Sequence, residues 1–198
     1  PLAGRFRPGS LETLPVLPPG SESIYRFEKR CLGCHLCTSV CPTNVMIPSA
    51  SSSGFSGLLI PEMDFNRGFC DTTCHACGQA CPTDAIKEVP LGLKKEIRVG
   101  TAVLYKDLCI VHVKKKHCGA CGEACPTNAI SPVEKGQVLY PKLNTDYCVG
   151  CGACVYACPA KPKAMAVKAL KIHEKAKIYQ TVKKQLIPRS NQNKGFPF

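Results

Sequence analysis

Tryptophan is absent from this chain, and phenylalanine and tyrosine bring the aromatic share to only 7%. A large aromatic core is therefore excluded, and so is the stacking platform on which single-stranded nucleic acid is usually bound. No apolar run approaches the roughly 20 residues that a helix needs to cross a bilayer, so no spanning helix is expected. Acidic residues are scarce as well, 14 against 26 basic ones, for a formal charge of +12. The sequence opens at Pro1 without a charged-then-apolar leader, which reads as a processed mature chain or a trimmed one, and processing would imply export. Nucleotide chemistry finds no foothold: Gly150-Cys151-Gly152 lacks the third glycine of a dinucleotide loop.

What the chain has in abundance is cysteine. All 16 fall into four clusters, each ending in Cys-Pro. The first is Cys31, Cys34, Cys37 and Cys41 before Pro42, in the pattern CxxCxxCxxxCP that bacterial ferredoxins use for cubane iron–sulfur centres. The fourth, Cys148, Cys151, Cys154 and Cys158 before Pro159, repeats it. The middle two depart only at the first gap: Cys70, Cys74, Cys77 and Cys81 before Pro82, and Cys109, Cys118, Cys121 and Cys125 before Pro126.

The spacing has a physical reason. Four thiolates must converge on one compact inorganic core, and glycines such as Gly33, Gly78, Gly119, Gly122, Gly150 and Gly152 let short loops turn the sulfurs inward. Three residues, about one helical turn, separate the third cysteine from the fourth, and the proline discourages helix at the fourth itself. In two-cluster ferredoxins that fourth cysteine ligates the neighbouring cluster. A disulfide scaffold gives no reason for four copies of CxxCxxxCP, and zinc sites usually arise from separated CxxC pairs.

All sixteen cysteines are thus read as iron ligands of four 4Fe-4S clusters. They also correct the charge: an oxidised cubane with four thiolates carries roughly −2, so four of them leave a loaded protein near about +4. That removes most electrostatic support for nucleic-acid binding. Lys94-Lys95, Lys114-Lys115-Lys116 and the lysines from Lys161 to Lys194 then read as solvated faces or a docking surface for an acidic partner or anionic lipid heads. Each half of a 21.3 kDa chain is small enough to lean on its metal, and the iron-free chain is expected to be unfolded or molten.

Around the clusters the chain reads as α+β, two small, loop-rich, tandem ferredoxin-like halves. Residues 1–24 read as an extended arm, broken by Pro8, Pro15, Pro18, Pro19 and Gly20 and anchored by Leu11, Leu14, Val16 and Leu17. Serines and a glycine from Ser49 to Gly54 read as a flexible loop ahead of Leu58-Leu59-Ile60. Ile97 to Tyr105 and Val138-Leu139-Tyr140 read as strands leading into Cys109 and Cys148. After each Cys-Pro an apolar signature recurs (Asn44-Val45-Met46, Asp84-Ala85-Ile86, Asn128-Ala129-Ile130, Ala164-Met165-Ala166-Val167), an internal repeat that predicts four copies of loop, helical turn and strand. Residues 169–198 read as a basic tail, an amphipathic helix or a packed strap. His35, His75 and His117 each flank a cysteine, as surface residues or hydrogen-bond donors that would raise a cluster's potential.

Over residues 27–168 these motifs resemble the polyferredoxins, four-cubane electron-transfer subunits of membrane-linked oxidoreductases. The long gap from Cys109 to Cys118 and the Arg5-Phe6-Arg7-Pro8-Gly9 segment look like the periplasmic ferredoxins of quinol-dehydrogenase modules. The second motif, CxxxCxxCxxxCP, departs from that family's longer middle spacing. The resemblance implies a non-catalytic electron relay in a hetero-oligomer, periplasmic or peripheral at a membrane, with a cytoplasmic location as the alternative. Its partners would be a quinol-oxidising membrane subunit and a reductase or cytochrome.

The resemblance further implies nested pairing, with Cys31, Cys34, Cys37 joined by Cys158; Cys148, Cys151, Cys154 by Cys41; Cys70, Cys74, Cys77 by Cys125; and Cys109, Cys118, Cys121 by Cys81. An outer half would then comprise residues 25–48 plus 133–168 and an inner half residues 62–132. Sequential pairing is the alternative, because residues 109–167 alone look like a complete two-cluster ferredoxin. Two other functions stay open: an iron–sulfur domain of a catalytic reductase or radical-enzyme activator, marked by a bound flavin, molybdenum or nucleotide, and an iron–sulfur nucleic-acid module, marked by salt-sensitive binding.

Overall fold

A computed structural model describes residues 14–49 and 60–179. Its elements are short, and the cysteine motifs dictate why. In each motif the third cysteine lies in a single helical turn: Cys37 in α2 (Leu36–Ser39), Cys77 in α3 (Ala76–Gln79), Cys121 in α6 (Ala120–Glu123) and Cys154 in α7 (Ala153–Tyr156). Each turn ends before the fourth cysteine, as the following proline requires. The longest helix, α1 (Ile24–Arg30), begins where the Ser23 hydroxyl accepts the Arg26 N–H at 3.2 Å. It buries Phe27. Two further short helices complete the set, α4 (Leu91–Lys94) and α5 (Ile110–Lys114).

Three antiparallel pairs of strands hold the turns in place. In the N-terminal part β1 (Met46–Pro48) pairs with β2 (Pro61–Met63), Met46 opposite Met63. Further on, β4 (Ile130–Lys135) and β5 (Val138–Leu143) form a hairpin across Gly136-Gln137, with Gly136 at φ +63°. A glycine at the first position of a two-residue loop suits strand twist. The last pair joins β3 (Ile97–Leu104) to β6 (Met165–Lys175), with a register shift between Arg98 and Gly100.

These hairpins fold each motif back on its immediate neighbour. α2 packs on α3, and α6 on α7. The halves are therefore consecutive in sequence, residues 14 to about 96 and about 97 to 179, not the nested division of 25–48 with 133–168 around 62–132. The physical reason is short-range connection: each β-hairpin brings one motif directly onto the next at little loop-closure cost.

The arm does anchor on a surface. Val16 and Leu17 are buried, and the Met63 N–H donates to the Val16 carbonyl at 2.9 Å. Leu11 and the rest of residues 1–13 lie outside the described residues, as does the serine-rich stretch from Ala50 to Leu59. The strands expected before Cys109 and Cys148 are β3 and β5. Three of the four repeat signatures open a strand; the second, Asp84-Ala85-Ile86, does not, because the Lys87 N–H beyond it bonds instead to Gly20 of the arm at 3.1 Å. Residues 169–175 belong to β6, which corrects the expected helix or strap there; the tail from residue 180 lies outside the described residues.

Among the described residues the core carries no large aromatic cluster. Its most buried side chains include Phe27, Ile86, Val45, Val99 and Val111, and cysteines fill much of the remainder. Among the described residues no helix is long and apolar enough to cross a membrane.

Candidate metal centres

The fourth cysteine of each motif crosses to the next, and that crossing organises everything else. Cys31 and Cys37 both feel the charge of Cys81, which places Cys81 beside the first motif. One recess is lined by Cys70, Cys74, Cys77 and Cys41. Another is lined by Cys109, Cys118, Cys121 and Cys158. Cys154 feels Cys151, Cys148 and Cys125. Four sets of four result, and the nested expectation is corrected: Cys158 joins Cys109, Cys118 and Cys121, not Cys31; Cys41 joins Cys70, Cys74 and Cys77; Cys81 joins Cys31, Cys34 and Cys37; Cys125 joins Cys148, Cys151 and Cys154.

Local sequence explains how the crossing sulfurs are aimed. After three of the four Cys-Pro pairs comes Thr and then a residue at positive φ: Asn44 at 55°, Asp84 at 56° and Asn128 at 53°. Asn and Asp tolerate this left-handed conformation better than other side chains. The turn points backbone N–H groups at sulfur, as with Ile86 N–H to Cys81 Sγ at 3.4 Å. The fourth motif has Ala160 in place of threonine, yet Ala164 N–H still donates to Cys158 Sγ at 3.4 Å. Burial pushes the Cys81 thiol up, but the Ile86, Thr83 and Ala85 N–H groups and the Thr83 hydroxyl outweigh it and hold it below its ordinary range. At Cys41 burial is likewise outweighed, with Met46, Thr43 and Val45 N–H groups lowering the thiol. The Thr43 hydroxyl proton goes to the Phe69 carbonyl at 2.6 Å.

At five other thiols burial prevails. Burial pushes Cys37, Cys151 and Cys154 up to about 12 and Cys77 and Cys121 up to about 11. All sixteen cysteines are free of disulfides. Thiols gathered in sets of four offer little unless a cation deprotonates them. Each set draws three sulfurs from one motif and the fourth from its neighbour, the donor pattern of two-cluster ferredoxins. The residues present therefore suit iron–sulfur clusters.

Residues 30–86 match a family described as a 4Fe-4S dicluster domain, and residues 116–161 match a second family of the same description. The chain carries two 4Fe-4S dicluster ferredoxin domains. Such domains imply iron–sulfur electron transfer. The first match spans the first two motifs whole, and the second spans the fourth and most of the third, starting beyond Cys109; both follow the consecutive grouping. Comparison with curated proteins gives no match.

The two dicluster domains meet at their inner sites. The Cys70 N–H donates to the Cys151 carbonyl at 2.8 Å, and Cys151 feels the Cys70 thiolate. Phe65 packs on Gly152, where a Cβ would lie 1.9 Å from the ring. Phe69 and Tyr156 rings stand 5.8 Å apart across the same seam. Successive thiol sets thus run from the first motif through the second and fourth to the third. At the outer end Cys34 is exposed beside Leu32, which is 76% exposed. At the opposite end Cys118 and Cys121 line an open cleft with His117 and Tyr147.

Two expectations about polar residues change. Lys94 is not a solvated surface residue: it is 6% exposed, and its ammonium donates to the carbonyls of Asp71, at 2.6 Å, and Cys74. No sequence signal separates it from exposed Lys95. His75 turns its Nδ1 toward the Val89 carbonyl and the Glu88 carboxylate instead of a sulfur. Thr43, Thr83 and Thr127 are residues that sequence reasoning missed, and their recurrence directly after Cys-Pro is the signal that could have found them.

Proposed function

We propose that this chain is a non-catalytic electron relay holding four 4Fe-4S clusters, one subunit of a hetero-oligomeric oxidoreductase complex. Bound clusters supply one-electron redox chemistry with potentials set by their surroundings. The chain's own part is to hold the four sets in line, to exclude water from the inner ones and to bring the end sets to the surface. The observation that carries the reading is the direct backbone contact between Cys70 and Cys151, which supports a continuous series across the two dicluster domains.

Its position beside a membrane, facing the periplasm, with a quinol-oxidising subunit on one side and a reductase or cytochrome on the other, is supported by the resemblance of the motifs and by the basic residues left after cluster charge is counted. Anaerobic analysis of purified protein tests the count: about 16 iron and 16 sulfide per chain are expected. About half that number, with one dicluster domain empty, would contradict the relay.

A further inference from the structure

Four cations approach the cysteine loops closely enough to bias them, and they differ in one respect. Arg26 reaches the Asp84 and Ala85 carbonyls beside Cys81, but it is neutralised by Glu22 at 3.1 Å and Asp84 at 3.0 Å. Arg98 donates to the Cys148 carbonyl at 2.9 Å and is paired with Glu174 at 3.5 Å. Lys163 donates to the Cys158 carbonyl at 2.8 Å from a half-buried position open to water. Lys94 alone is both buried and outside every ion pair found among the described residues. It lines the recess formed by Cys41, Cys70, Cys74 and Cys77.

We propose that the Lys94 ammonium is the residue that sets the potential of the cluster held by Cys70, Cys74, Cys77 and Cys41, making it the most easily reduced of the four. The inference rests on the four-site relay and adds an ordering of its potentials. Reduction adds one negative charge to a buried site, and a fixed positive charge with no carboxylate against it favours that state. The Asp71 carboxylate beside it is engaged by the Thr73 N–H and hydroxyl at 2.8 and 2.7 Å. An inner site of highest potential would collect electrons in mid-series, so that leaving it toward either end becomes the uphill step.

Potentiometric EPR on the intact loaded protein tests this with K94Q, K94R and D71N. In K94Q iron should stay at the wild-type level while one couple falls, its reduced-to-oxidised ratio at fixed potential dropping at least tenfold, about 59 mV for one electron. K94R should keep the wild-type order, and D71N should raise the same couple. Four unmoved midpoints in fully loaded K94Q would overturn the proposal. Loss of iron from K94Q with retention in K94R would also overturn it, making the lysine a structural prop. A wild-type protein with too few clusters would instead defeat the relay itself.

Discussion

The backbone N–H of Cys70 donates to the carbonyl of Cys151 at 2.8 Å, so one hydrogen bond joins a ligand loop of each dicluster domain. The seam around it holds the two inner sites together, and its packing partners are Phe65 and Phe69 from one side and Gly152 and Tyr156 from the other.

Gly152 is the weak point of that seam. It sits at φ +80°, and any Cβ would enter the Phe65 ring. Gly152→Val should destabilise the protein by at least about 1–3 kcal/mol through overpacking alone. Iron content in each domain should persist while the spin coupling between the inner clusters weakens. Thermal melting and EPR line shape on the same sample measure both effects.

Arg26 ties α1 to the second motif through charged hydrogen bonds to the Asp84 and Ala85 carbonyls at 2.6 and 3.0 Å. Hydrogen bonds to a charged partner contribute about 1.5–3 kcal/mol each. Arg26→Met should therefore loosen the loop that carries Cys81 and accelerate iron release from the first domain under a chelator. Chelator kinetics followed by absorbance would show a faster phase for about half the iron. Release at the wild-type rate would mean that the loop does not depend on α1.

The Thr83 and Thr127 hydroxyls lie 3.8 and 3.6 Å from Cys81 and Cys125 Sγ. A donor to a cluster sulfur stabilises the reduced state. Thr83→Val and Thr127→Val should each lower one couple, by an amount on the order of one weak hydrogen bond, at most about 1 kcal/mol, without loss of iron. Potentiometry checks the direction, and an upward shift would oppose it.

Burial lowers the His173 imidazole to about 4, although the Glu22 carboxylate works in the opposite direction. Glu22 is itself paired with Lys87 at 2.8 Å and Arg26 at 3.1 Å, and its carbonyl accepts the His173 N–H at 2.7 Å. The unfolded chain binds a proton near the ordinary histidine value of about 6.5 that the folded chain refuses. Stability from this group is thus complete above about pH 6.5 and is lost as pH falls toward about 4, roughly 3 kcal/mol in all. Melting temperatures of wild type and His173→Gln across that window should differ in slope, the wild type falling more steeply with acid.

Much of the candidate site was legible because its chemistry is written locally. The sixteen cysteines, the single turn between third and fourth ligands and the strands before Cys109 and Cys148 all follow from spacing and short-range pattern. The pairing of motifs was not legible, since all four end in the same CxxCxxxCP and spacing cannot say which neighbour a crossing cysteine meets. The hairpins β1–β2 and β4–β5 decide that. Lys94 was hidden for another reason: a lysine next to a lysine reads as surface, and only the fold of α4 against Asp71 and Cys74 buries it. Gly152 was legible as a loop glycine, but Phe65, 87 residues upstream, gives it a second role.

The most direct measurement is a potentiometric EPR titration with iron and labile sulfide counted on the same anaerobic sample. Four reducible cubanes on about 16 iron, with spin interaction extending between the clusters of Cys70 and Cys151, are the predicted result. Two isolated pairs without interaction, or little iron with zinc in its place, would contradict a continuous four-cluster series.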